Sequence, residues 1–434
     1  MEIDGGEAAR QVRVRFITKL PHTLRVSSAS ITLPSDVTRA QLSNVVNTLL
    51  NTGEHEVFDF IVDGELVRVP LEKILIAKGI SAEKVLDIEY FRAVAPRRQQ
   101  EPELHEDWVS AVDGSNPSVI LTGCYDSFGR LWNSSRLCTH ILEGHTDAIT
   151  SVCIINSKAD ESNDSFHVTT ASKDRTLRLW KCDATDGPYP RRIRAVKVLR
   201  EHTSAVQSVS AGPFGNMVCS GSWDCSIKLW QSDYPNMEGD SVLIKKRKMD
   251  NNAAAREEAL SEEGAISTFL GHTQCVSCIV WPEQETIYSA SWDHSIRMWD
   301  VEIGKDTVNM VGGKAWNCLD VGGESSALIA AGGSDPVLRI WDPRRPGKLD
   351  PVYNFASHRS WITACKWHPR SWFHLVSSSH DGKVMLWDLR AQFPLAVIDS
   401  HKDKVLCADW WNGDSVISGG ADGKLCISSE ICIP

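Results

Sequence analysis

The spacing of apolar residues changes character along the chain. The first part mixes periods. QVRVRFITK alternates Val12, Val14 and Phe16 with polar residues, the pattern of a half-buried strand. LRVSSASITL supplies a second strand. QLSNVVNTLLN sets Leu42, Val45, Val46 and Leu49 at helical spacing. FDFIV, Asp63-Gly64 and ELVRV predict a hairpin with a primed turn. LEKILIAKG is a short helix stopped by Gly79, and KVLDIEYF is a last strand. Residues 1–10 read as a flexible start and 11–92 as a small α+β domain. The polar, Pro-containing RAVAPRRQQEPELHED follows, so residues 93–104 read as a linker.

Beyond it the period lengthens to a whole repeat. Asp126, Asp174, Asp224, Asp293, Asp335 and Asp381 are each followed six residues later by a tryptophan: Trp132, Trp180, Trp230, Trp299, Trp341 and Trp387. Asp422 keeps the frame, with Ser428 in the Trp slot. His105, His145, His202, His272, His358 and His401 precede these acids; the fifth unit has no such His and reads VGGKAWNCLDV. A period near 40–45 residues with Gly-His and Trp-Asp signatures is the WD-repeat pattern, one four-stranded blade per unit. Seven units predict an all-β seven-bladed propeller over 105–434. After KLCISSE too little chain remains for a fourth strand, so residues just before His105 are expected to close the ring.

Strands buried between blades need their turns satisfied internally. Asp at the second-to-third-strand turn can accept from amides there and from the His ring. The Ser two before each Asp (Ser172, Ser222, Ser291, Ser379) is expected to extend that network to the Trp indole. The expected set is therefore His145, Ser172, Asp174 and Trp180; His202, Ser222, Asp224 and Trp230; His272, Ser291, Asp293 and Trp299; His358, Ser379, Asp381 and Trp387. A catalytic Ser-His-Asp constellation occurs once, in a cleft. One recurring in every unit reads as structural, so no catalytic residue is assigned.

Composition narrows the function. The net charge of -10 makes the molecule as a whole no trap for nucleic acid, so an RNA contact needs a local basic patch. Two patches are available: Lys245, Lys246, Arg247 and Lys248, in a polar insertion at about 231–266 that reads as disordered, and Arg191, Arg192 and Arg194, read as a solvated loop. The first suits nuclear import or an RNA phosphate. The 13 cysteines are scattered, and Cys275 and Cys278 form a lone CxxC, so neither disulfides nor a metal centre is expected. No apolar h-region opens the chain and no run of 18 apolar residues occurs, so no membrane span is expected. Trp341-Asp342-Pro343-Arg344 and Trp387-Asp388-Leu389-Arg390 fit the WDxR pattern that docks ubiquitin-ligase substrate receptors on a cullin adaptor, which makes Arg344 and Arg390 adaptor contacts in an alternative reading. Tyr125, Trp223, Trp292 and Trp361 are candidate contact anchors near the turns.

The order of elements in 11–92 matches a ubiquitin-like β-grasp. Joined to a WD propeller, it resembles the NLE-domain ribosome-biogenesis proteins, and among them the WD-repeat subunit of the PeBoW complex. FDFIVDGELVRVPL, the GISAE–IEY stretch, HEDWVSAV, SGSWDCSIKLW with the basic insertion after it, IWDPR and HKDKVLCADW carry this resemblance. It implies a non-enzymatic factor for large (60S) subunit and rRNA maturation in the nucleolus and nucleoplasm. The implied partners are pescadillo-type and block-of-proliferation-type proteins, the pre-60S particle with its rRNA, and the AAA ATPase Midasin. Neither a membrane nor self-association is implied. By similarity Glu83 is the carboxylate that would complete a Mg²⁺ sphere in Midasin's MIDAS site; the chain has no cofactor of its own.

Overall fold

A computed structural model of the chain describes residues 11–51, 56–80, 84–93, 98–155, 165–183, 189–232, 261–323, 327–345, 350–431 and 433. They form two compact units, one N-terminal and one built on the repeats.

The N-terminal unit is a five-stranded sheet packed with two helices. Its strands are β1 (Gln11–Ile17), β2 (Ile31–Pro34), β3 (Phe58–Val62), β4 (Glu65–Leu66) and β5 (Leu86–Arg92), in the order β2-β1-β5-β3-β4. β1 and β5 run parallel, a pairing that needs a crossover. The chain between them carries α1 (Arg39–Leu50) and α2 (Leu71–Lys78). A capping box between Thr38 and Gln41 starts α1, and Asn51 ends it in the left-handed region at φ 47°. Only Leu42 and Val46 of its apolar stripe are fully buried; Leu49 is 44% exposed. Asp63 and Gly64 turn the β3–β4 hairpin with φ of 48° and 79°, as a primed turn requires. Val12, Val14, Phe16, Phe58, Phe60, Ile88 and Tyr90 of the sheet pack on Leu42, Val46, Leu71 and Ile74 of the helices. The Tyr90 hydroxyl donates to Leu24 O and accepts from Val26 N, tying the β1–β2 connection to the core.

Among the described residues the repeat unit holds seven sheets, here I to VII. Their innermost strands are Val109–Asp113, Ile149–Ile155, Val206–Ala211, Val276–Glu283, Trp316–Gly322, Ile362–Trp367 and Val405–Trp411. Each inner strand packs beside the next, and the seventh packs beside the first. The sheets therefore close a ring, a β-propeller. The core lies between sheets. Ile149, Val152, Val168 and Trp180 of sheet II, for example, bury against Leu121, Leu131 and Leu142 of sheet I. Trp180, Trp230, Trp299, Trp316 and Trp387 are the largest fully buried side chains, each adding about 1.5–3 kcal/mol or more of apolar burial.

Closure is made by residues before the first repeat. β6 (Arg98–Gln99) pairs with Ser428 and Ser429, and β7 (Glu103–Leu104) with Lys424 and Leu425, all antiparallel. Pro102 falls between the two short strands, at an edge where a missing N–H costs least.

Two expectations about loops are corrected. Arg191–Ile193 is a strand laid parallel on sheet I, where Arg191 pairs with Asp183 and Arg192 with Glu143. The end of the 231–266 insertion is likewise ordered: Ser261–Glu263 lies parallel on sheet II, with Glu263 2.6 Å from Lys197 and Glu262 3.5 Å from Arg200. A polar composition concealed both strands because backbone pairing and ion pairs, not apolar burial, hold them.

The closing pairing predicts a measurable contribution. Gln100 N donates to Ile427 O at 3.1 Å. Gln100→Ala, which loses only the side-chain bond to Ser429, should lower the unfolding free energy by about 0.5–1 kcal/mol in denaturant titrations, and Gln100→Pro, which also removes the backbone donor, by about 1–3 kcal/mol more.

Candidate functional site

The recurring acid, imidazole and indole are joined through a hydroxyl. In sheet IV the His272 ring nitrogen Nδ1 donates to Asp293 Oδ2 at 2.8 Å, and Nε2 accepts from Ser289 Oγ at 2.7 Å. The Trp299 Nε1–H donates to the same Ser289 Oγ at 2.7 Å. These donor roles follow from the carboxylate and indole at the two ends. Sheet III repeats the relay with Asp224, His202, Ser220 and Trp230. Sheet II repeats it with Asp174, His145, Thr170 and Trp180. In sheet VI, Asp381, His358 and Ser377 are joined in the same way, with Trp387 fully buried. Sheet VII has Asp422, His401 and Ser418, and Ser428 where a Trp would stand.

The hydroxyl is thus four residues before the Asp, which corrects the expectation that Ser172, Ser222, Ser291 and Ser379 serve the indole. Those serines end their strands, level with the turn. Each accepts its own Asp backbone N–H, at 3.1 to 3.2 Å. Ser172, Ser222 and Ser291 also donate across to the carbonyls of Asp147, Ala205 and Gln274. The residue one pleat deeper sits at the level of the imidazole and the indole.

Each Asp ties two turns together. In sheet IV, Oδ1 accepts Ser295 N and Oγ within its own turn, while Oδ2 accepts Thr273 N beyond the His. Arg175, Cys225 and His294, next in sequence, take φ near 70°, a conformation costing non-glycine residues about 1 kcal/mol or more. The carboxylate network offsets that cost. Burial pushes the Asp174, Asp224 and Asp293 carboxyls up, but the His bonds, turn hydroxyls and amides outweigh it and hold them well below the usual range. Against the same burial, the His358 bond and the Arg359 and Lys383 amides hold Asp381 at about 2. Burial lowers His145 more than Asp174 raises it, so that pair is carboxylate and neutral imidazole. The glycine before His has a packing cause. A Cβ on Gly271 would lie 2.9 Å from both the Arg297 guanidinium and the Trp299 ring, and one on Gly144 only 2.5 Å from Arg178.

Sheets I and V depart from this scheme in the same way. Asp126 is bound by Arg130 at 2.6 Å, and Asp335 by both terminal nitrogens of Arg339 at 2.9 and 2.6 Å. His105 still bonds Thr122, which accepts from Trp132. Burial lowers His105 to about 4. Sheet V lacks the His, and Trp316 takes up the space, edge-on to Trp341 at 5.3 Å with Arg339 over its face. Arginine thus holds the acid in both sheets, with one bond in sheet I and a fork in sheet V.

A second network, not expected from the sequence, encircles the axis. Ser110, Thr150, Ser277, Asn317 and Thr363 each donate to a carbonyl of the next sheet: Ile149, Val206, Trp316, Ile362 and Val405. Four of the five stand five residues after the repeat's His, a spacing the sequence does display. Deeper along the axis, Asp113, Asp320 and Asp409 accept Ile154 N, Trp367 N and Gly114 N of the next sheet. The channel that they line has a volume of about 740 Å³. Lys366 projects near these acids, 3.4 Å from Asp320, which with Asp409 and Asp113 holds its ammonium well above the ordinary value. Burial, only partly relieved by Lys366, pushes Asp409 up to about 7.

The channel mouth on the Asp-turn face is edged by aromatic rings. Tyr125, Trp292, Trp361 and His380 line it. Trp223 meets Trp292 edge-on at 4.8 Å, Trp108 lies 5.3 Å from Tyr125, and Trp361 stacks on His380 at 5.9 Å. Trp223 and Trp361 are 47% and 51% exposed.

The remaining candidates fall as follows. Glu83 and the basic run Lys245 to Lys248 lie outside the described residues. Arg344 and Arg390 fold back on their own motif, forming forks with Asp342 and Asp388. An adaptor contact through either guanidinium would compete with that fork. Burial raises the Cys275 and Cys278 thiols to about 12 and about 11, far from reactive. Among the described residues no three His, Cys, Asp or Glu side chains converge as a metal site. Nor is any described helix long and apolar enough to cross a membrane.

Comparison with known proteins agrees with this architecture. The NLE (NUC135) domain model matches residues 12–75. The WD domain, G-beta repeat model matches residues 136–181, 193–231, 264–300, 349–388 and 392–427. The unmatched units are those of sheets I and V, where arginine holds the acid. These features define an NLE-type WD-repeat β-propeller protein. A rice relative (Oryza sativa subsp. japonica), "Ribosome biogenesis protein WDR12 homolog", is 63% identical, covering 99% of both chains. The like-named proteins of Arabidopsis thaliana and Chlamydomonas reinhardtii are 58% and 36% identical, covering 100% of both chains and 96% and 97%, respectively. The chain belongs to the WDR12 family of ribosome biogenesis proteins.

Ser289→Ala would leave the Trp299 N–H and His272 Nε2 buried without a partner. It should lower the unfolding free energy by about 2–4 kcal/mol in chemical denaturation. Ser118→Ala, on a surface turn, should change it by less than about 0.5 kcal/mol.

Proposed function

We propose that this chain is a non-enzymatic scaffold for maturation of the large (60S) ribosomal subunit and its rRNA. The observation that carries the reading is the whole-length similarity to WDR12-type ribosome biogenesis proteins, with both modules in the same order. The seven-bladed propeller is the platform. Its Ser, His and Asp side chains support a structural rather than catalytic role. The imidazoles of His145, His202, His272, His358 and His401 are completely buried, so no substrate reaches them. The aromatic rim around the channel mouth suits macromolecular contact, since Trp and Tyr dominate interface energetics. Pescadillo-type and block-of-proliferation-type proteins are its partners, within pre-60S particles of the nucleolus and nucleoplasm.

The N-terminal unit is a ubiquitin-like β-grasp in this reading. Its mixed sheet with a central parallel β1–β5 pair, crossed by α1, supports that assignment. Glu83, between α2 and β5, would give one carboxylate oxygen to the Mg²⁺ of the Midasin MIDAS site. A hard divalent ion accepts such an oxygen readily in place of a water. ATP hydrolysis by Midasin would then pull on this unit and release the complex from the particle.

The test is affinity purification of wild type and Glu83→Ala. Both should recover the pescadillo-type partner equally, while Midasin-dependent release from pre-60S particles falls about ten-fold or more for the variant, the scale of losing one charged ligand. Equal release by both would overturn the role of Glu83.

A further inference from the structure

The connections that enter the outer strands of sheets II and III run backwards first. Arg191–Ile193 precedes the outer strand of sheet II, Lys197–Arg200, yet lies parallel on the outer strand of sheet I. Ser261–Glu263 precedes the outer strand of sheet III, Ser267–Leu270, yet lies parallel on the outer strand of sheet II. The same device appears twice, one sheet apart. In both cases charge complements the backbone pairing: Arg192 meets Glu143, and Glu262 and Glu263 meet Arg200 and Lys197.

The series stops at sheet III. The strand after it, Lys305–Val311, is entered through residues 301–304 alone. Four residues span at most about 14 Å, too little to reach back across a sheet and pair. Ser267–Leu270 therefore ends sheet III among the described residues. This edge, four residues long, lacks the charge and proline that usually block strand addition. Residues 266–270 read ISTFL, without charge or proline, and Ile266 and Leu270 are 56% and 74% exposed. Other open outer strands are guarded or short. Lys305–Val311 begins with Lys305 and Asp306; Tyr353–Phe355 and Ala396–Ile398 have three residues each.

We propose that the outer edge of sheet III accepts a strand from another protein. The guest is an extended, uncharged segment running parallel to Ser267–Leu270, with apolar side chains at alternate positions. Charge matching selects this chemistry. The outer strands of sheets I and II present Glu143, Lys197 and Arg200 and hold charged strands, whereas Ser267–Leu270 itself carries no charge, and the one ammonium at its face, Lys228 against Thr268, is already paired with Glu201. A guest placing aliphatic residues beside Ile266 and Leu270 would bury them; one placing charges there would desolvate those charges without a partner. The added strand would complete sheet III as Arg191–Ile193 and Ser261–Glu263 complete sheets I and II. The choice of particle for the test rests on the ribosome-assembly reading; the edge itself does not.

The test uses the full-length chain, free and within purified pre-60S particles, with amide hydrogen exchange and a photo-crosslinking residue at position 270. In particles, amides of residues 267–270 should exchange about ten-fold or more slowly than in the free chain. Position 270 should cross-link to an uncharged, alternating apolar segment of one partner. An Ile266→Lys/Leu270→Lys chain should keep the wild-type circular dichroism and melting curve but lose that protection. Unchanged exchange in particles that contain the chain would overturn the inference, as would cross-links confined to its own residues 233–260. A wild-type chain that never enters the particles would overturn both this inference and the assembly reading.

Discussion

One buried hydroxyl placed between an imidazole and an indole is the constraint from which the ring follows. Without it, the seams of sheets I to IV would enclose an indole N–H and an imidazole nitrogen with no partner, at about 1–3 kcal/mol apiece. With it, the relay runs unbroken from Trp through Thr or Ser to His and on to Asp. The carboxylate then gathers the amides of two turns. Positive-φ residues at those turns, such as Cys225 and His294, are affordable only because the turns are fixed from within. A fully satisfied polar network also specifies one packing arrangement, since a slipped strand would leave several partners unmatched.

The same logic explains the exceptions. Where arginine takes the carboxylate, a charge-assisted bond from Arg130 in sheet I and a fork from Arg339 in sheet V hold the acid as the imidazole does elsewhere. Arg178 and Arg297 occupy the corresponding position in sheets II and IV, but there the His already holds the acid, and the guanidinium instead crowds the glycine before it. Arginine at that position therefore has two uses, and sheet I, which keeps His105, shows that the arginine can take the acid even beside a histidine. Around the axis, the hydroxyls and carboxylates that bond the next sheet couple the units directly. The seventh sheet joins the first through Asp409 and Gly114.

Much of this was legible in the sequence because it recurs. The Asp-to-Trp interval and the preceding His marked the number and order of the repeats, and the closing strand expected before His105 is present as Arg98–Gln99 and Glu103–Leu104. The relay hydroxyl was misplaced because hydroxyls stand both two and four residues before the Asp in four units. The distinguishing signal lay in the others. Cys124 and Gly420 occupy the nearer position in sheets I and VII, whereas Thr122 and Ser418 keep the farther one. In sheet V, which has no His, the farther position is Ala331. The strands added to sheets I and II could not be read from composition, since RRI and SEE look like loop until their charged partners on the adjacent strand are known. The exposed face of α1 at Leu49 shows the opposite error, an apolar stripe that burial only partly uses.

The central claim is that five histidines are relays, each bonded through Nδ1–H to its Asp and accepting at Nε2 from a hydroxyl. Long-range ¹H–¹⁵N spectra of the histidine-labelled protein at pH 8 read this directly. The account predicts the Nδ1–H tautomer for His145, His202, His272, His358 and His401, with Nε2 showing the shift of an unprotonated nitrogen. Nε2–H tautomers, or averaged shifts from freely exchanging rings, would contradict it.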